Sequence, residues 1–63
     1  MLPHQKRICD EFLDIEAKLS KLKNFIGTDI FKSLEDVDRH LLEIQLDAMK
    51  NYAYILSQRI HRF

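Results

Sequence analysis

The side chains able to do chemistry are few, and they gather near the two ends of the chain. His4 and Cys9 stand near the start and His61 near the end, with His40 alone between them. Zinc needs ligands that converge at about 2.0–2.3 Å. On a helix, the five positions from His4 to Cys9 turn their side chains about 140° apart, and neither CxxC nor HExxH occurs. The expectation is no metal and no cofactor, with Cys9 packing as a small hydrophobe. Nucleophilic catalysis needs a base held beside the nucleophile, and no motif places one next to Cys9. Without a glycine-rich phosphate loop or GxSxG, the chain is not expected to be an enzyme.

The cations form a second constellation. Lys6 and Arg7 fall at the start of the chain, Arg59 and Arg62 at its end. If the two ends meet, these four make a candidate anion-binding site beside His4 and His61, because free N–H groups at a helix N-terminus favour an anion. The plainer reading is that they are solvated or pair with Asp10 and Glu11. Ten basic and ten acidic residues give a net charge of zero, which argues against a nucleic-acid coat protein.

The elements that must position these groups are legible from two residues and a period. Pro3 suits the first turn of a helix, where its missing N–H is not needed. Gly27 suits the position just past a helix end, where a positive φ is cheap only for glycine. Between them Ile8, Phe12, Ile15, Leu19, Leu22 and Ile26 are spaced 4, 3, 4, 3, 4, the pattern of a helix-packing seam. This predicts a first helix over 3–26. Residues 27–33 form the linker, and a single helical turn near 29–32 carries Ile30 and Phe31, with Phe31 folding over the closed end. Ser33, three residues before Asp36, resembles a capping box that opens a second helix over 34–61.

That second helix has two apolar seams. One is Leu34, Val37, Leu41, Ile44, Ala48, Tyr52 and Ile55; the other is Leu42, Leu46, Met49, Ala53, Leu56, Ile60 and Phe63. The first helix can cover one seam only. A chain of 63 residues is a single domain that folds alone at the margin of stability, and its lone cysteine excludes an internal disulfide. The fold class expected is therefore all-α: an antiparallel helical hairpin dimerising into a four-helix bundle. Its interface is expected at Leu42, Leu46, Met49, Ala53, Leu56 and Ile60, with Met49 and Ala53 central and Tyr54 a candidate interface contact. No apolar run reaches the roughly 18 residues of a membrane span, and no secretory h-region is present.

The segments PHQKRI from Pro3, KLSKLKNFI from Lys18 and LLEIQLDAMKNYAYILSQRI from Leu41 resemble a family of short bacteriophage accessory and early-region proteins, found in lambda-like and gut phages. The resembling pattern is a helix ending KLxKLxxFI, an FxxL linker at Phe31 to Leu34, and a helix reading LLxxQxxxMxxYxxILxxRI. His40 departs from it, at a position where an acidic or Gln-like residue is usual. The resemblance implies a phage protein acting in the cytoplasm of the bacterial host, and carries no active site across. Two function classes follow. The first is a protein–protein adaptor that docks on a host protein and changes host physiology or phage development. The second is an oligomeric sponge that sequesters nucleotide immune signals, with the basic end as its binding place.

The charge balance generates one expectation: no sequence-specific binding of duplex DNA. At about 150 mM salt, a fluorescence-anisotropy titration should show no sub-micromolar, sequence-dependent binding. Such binding would contradict the reading.

Overall fold

The computed structural model describes residues 1–63. It holds three helices, α1 (Pro3–Ile26), α2 (Asp29–Lys32) and α3 (Asp36–His61), and no strand. Pro3 begins α1 at its first position. The side-chain Oε1 of Gln5 reaches back and accepts the Leu2 N–H at 3.0 Å, satisfying a donor that the helix start leaves without a partner.

The turn between α1 and α2 depends on Thr28 rather than on glycine geometry. Gly27 has φ −81°, so the positive φ expected there is not used; its N–H donates to the Asn24 carbonyl at 3.2 Å. Thr28 Oγ1 donates to the Phe25 carbonyl at 2.6 Å and accepts the Phe31 N–H at 3.3 Å. One hydroxyl thus ends α1 and caps α2. This directs Phe31 inward, where it is buried and meets Phe25 edge-on with ring centroids 6.2 Å apart, a preferred aromatic geometry.

Ser33 does not cap α3. Its hydroxyl donates to the Ile30 carbonyl at 2.6 Å, and α3 begins at Asp36, which puts Ser33 two residues ahead of the capping position. The N-cap of α3 is Glu35, whose side chain makes no capping bond. Asp36 and Asp38 still place negative charge on the first turn, where the helix dipole favours it. Asp36 also pairs with Arg39 one turn on.

α1 packs antiparallel on α3. The seam of α3 facing α1 is Leu42, Leu46, Met49, Ala53, Leu56 and Ile60: Leu56 is fully buried and Ala53 is 4% exposed, while the other four are half-buried. The seam expected between two copies is thus the hairpin's own core, and Ala53 and Leu56 have no surface left to offer. The seam left bare is the other one, with Val37, Leu41, Ile44, Tyr52 and Ile55 exposed. Charge gives the physical reason. One further step along that second seam reaches Arg59, a cation suited to the rim of a helix contact rather than its middle. The chosen seam continues to Ile60.

The result is a rod of 46 × 14 × 13 Å. Its radius of gyration is 14.5 Å, against about 11 Å for a compact domain of this length. No helix is long and apolar enough to cross a membrane.

Because only three residues are buried, the core has no redundancy. Leu56→Ala should cost about 2–5 kcal/mol, comparable to the whole stability of a domain this small. Leu13→Ala, on the exposed back of α1, should change stability by less than about 0.5 kcal/mol. Thermal unfolding followed by circular dichroism checks both; a Leu56→Ala transition matching the unsubstituted chain would contradict the packing.

Candidate functional site

Antiparallel pairing brings the start of α1 and the end of α3 to one end of the rod, so the terminal cations do share a neighbourhood. They do not all face one way. Lys6 points along the back of α1, where its Nζ lies 3.5 Å from Asp10 Oδ2 with both groups exposed. A pair of this kind contributes little. Arg7, Arg59 and Arg62 form no ion pair with any carboxylate, since the only pairs in the chain are Lys6–Asp10, Lys32–Asp29 and Arg39–Asp36. By helical period Arg7 stands one turn before Glu11 on the same side of α1, and Arg59 two turns after Tyr52 on the same side of α3.

That side of the hairpin carries its one side-chain hydrogen bond between helices. The Tyr52 hydroxyl donates to Glu11 Oε1. The bond raises the phenol above its usual range, with desolvation and the Glu11 charge adding to it; Arg59 acts in the opposite direction. Arg59 is thus within electrostatic reach of the Glu11–Tyr52 pair. Nothing in the sequence pattern pointed to this pair, because Glu11 and Tyr52 are 41 positions apart. The available signal was register: Glu11 borders the α1 seam and Tyr52 borders the α3 seam at the level where antiparallel helices put them opposite.

The opposite side of the hairpin carries an open groove of about 320 Å³. Phe12, Leu19 and Ala53 form its apolar floor, and Glu16, Lys50, Tyr54 and Ser57 its polar edge. The Ser57 hydroxyl is already donating to the Tyr54 carbonyl at 2.7 Å. Cys9 is half-buried. His4, Cys9 and His61 belong to no group of three or more ligand-type side chains.

The comparisons with known proteins come to a chain of the same size. The sequence profile of the Sequestin family matches residues 2–62. The chain is also similar to the "uncharacterized 7.5 kDa protein in denB-rIIB intergenic region" of Enterobacteria phage T4: 33% identical over 63 residues, covering all of this chain and 98% of that protein. No solved structure matches.

The Glu11–Tyr52 bond predicts an alkaline titration. In a Tyr54→Phe chain Tyr52 is the only tyrosine, and its phenolate absorbance should appear with a midpoint above the usual value of about 10. Adding Glu11→Gln should move it back down. The sign for stability follows. The folded state holds this proton more tightly than the unfolded one. The contribution is therefore fully present below about pH 10 and is lost as pH rises through the raised value. A midpoint at or below the usual value would contradict the bond.

Proposed function

The chain belongs to the Sequestin family of short bacteriophage proteins, and from that premise we propose that it acts by sequestration. It is a non-enzymatic protein that works as a homodimer in the cytoplasm of the infected bacterium. It holds an anionic small molecule of the nucleotide class, an immune signal of the host, at the basic open end. The observation that carries this reading is the set Arg7, Arg59 and Arg62, three permanently charged side chains at one end of the rod with no carboxylate paired to any of them. Guanidinium groups recognise phosphate oxygens through paired N–H donors, and Lys6 adds charge nearby. The start of α1 contributes the positive end of its dipole.

The family name favours holding a ligand over the other class drawn from the sequence, docking on a host protein. The adaptor reading followed from the resemblance alone, and the bare apolar seam of α3 is the surface it would use. A second copy of the chain accounts for that seam without a host partner. Sequestration also asks nothing of the site beyond affinity, which suits a chain whose one groove is shallow and whose termini carry cations instead of an acid–base pair.

A thermal-shift panel of linear and cyclic nucleotides tests this. One class should stabilise the protein, by about 2.7 kcal/mol at a concentration 100 times its dissociation constant, and should be recovered chemically unchanged. Charge reversal at Arg7 and Arg59 together should weaken that binding tenfold or more, while Lys50→Gln on the far side should not. No stabilisation by any nucleotide, or stabilisation indifferent to the charge reversal, would contradict the proposal.

A further inference from the structure

The bare seam of α3 has an internal symmetry that suits pairing with a second copy of itself. Val37, Leu41, Ile44, Ala48, Tyr52, Ile55 and Arg59 are spaced 4, 3, 4, then 4, 3, 4. The spacing is a palindrome centred on Ala48. A two-fold antiparallel pair of identical helices sets each position against its mirror position on the other copy, and this seam then places apolar side chains against apolar ones. We propose that a second copy of this chain packs on the bare seam, α3 antiparallel to α3, with the two-fold axis at Ala48. Leu41 then meets Ile55 of the other copy and Ile44 meets Tyr52. Val37 meets the methylene stem of Arg59, whose charged head stays at the rim. The small side chain of Ala48 lets the helices approach closely at the centre.

Three further observations support a second copy as the occupant. The first is area. The chain exposes 5002 Å², about 700 Å² more than the roughly 4,300 Å² expected of a compact monomer of 7.6 kDa. One partner's share of a standard stable interface is about 800 Å². The second is residue type: the members between Val37 and Ile55 are apolar or aromatic, with Leu41 57% and Ile44 49% exposed, which is unusual for contiguous surface in water. The third is the helix dipole, since antiparallel α3 helices set each positive N-terminus beside a negative C-terminus. The Tyr52 hydroxyl stays bonded to Glu11, so its ring is held in place for the contact. The pairing puts the two open ends at opposite ends of the assembly, leaving both basic clusters free.

This surface rests on the self-association proposed above, and the test separates the two. Sedimentation equilibrium is run at micromolar concentration on the unsubstituted chain, Ile44→Asp and Leu13→Asp. Both substituted positions are solvent-exposed within a single chain, so both variants keep the hairpin, checked by circular dichroism. The expected result is a dimer for the unsubstituted chain and for Leu13→Asp. Ile44→Asp should raise the dissociation constant roughly 30-fold or more. Retention of the dimer by Ile44→Asp, or its loss in Leu13→Asp, overturns the surface and leaves dimerisation standing. A monomeric unsubstituted chain overturns both, and an oligomer larger than two overturns the closed two-fold pairing. Direction is read with a short bismaleimide in a Cys9→Ser background. Ala48→Cys should cross-link efficiently, whereas Val37→Cys should not, because the antiparallel pairing separates the two Val37 positions by about 33 Å along the helix axis. Cross-linking at Val37 overturns the antiparallel arrangement.

Discussion

The packing of α1 against one of the two apolar seams of α3 is the contact on which everything else rests. The seams lie roughly 120° apart around α3, farther than one partner helix can span. α1 covers the seam from Leu42 to Ile60, and the chain has no third long helix for the other. The consequences are visible at once: three buried residues, a rod-like outline and a continuous apolar strip facing water. In a chain this short, stability and association are two sides of one constraint, because the surface that a compact domain would bury within itself is here still available.

The two ends of the rod have different work. The closed end is a packing device: Thr28 serves both helices it joins, and Phe31 fills the corner against Phe25. The open end has no such closure. It gathers cations, and charge accumulates there although the chain as a whole is neutral. The tie between the helices toward that end is the Tyr52–Glu11 bond, on the side of α3 that also carries Arg59. A chain of this size can thus separate its ends, with one end closing the hairpin and the other left open.

Much of this was legible in the sequence, and the differences have definite causes. The bounds of α1 followed from Pro3 and an uninterrupted seam ending at Ile26. The turn of α2 followed from Ile30 and Phe31 being too apolar for a bare loop. The choice between the α3 seams did not follow from periodicity, because both repeat with helical spacing; it turned on Arg59 lying in line with one of them. Ser33 was read as the cap of α3 from its distance to Asp36, but α3 starts two residues later than that reading requires, with Glu35 at the cap. Gly27 suggested a left-handed turn that Thr28 made unnecessary. The Glu11–Tyr52 contact was invisible because no local pattern links residues so far apart in sequence.

Native mass spectrometry of the purified protein mixed with a nucleotide panel reads assembly and ligand in a single spectrum. The expected spectrum holds a species of twice the 7.6 kDa chain mass that carries one class of nucleotide, released intact when the protein is denatured. A species at the mass of one chain, without any nucleotide adduct, would contradict it.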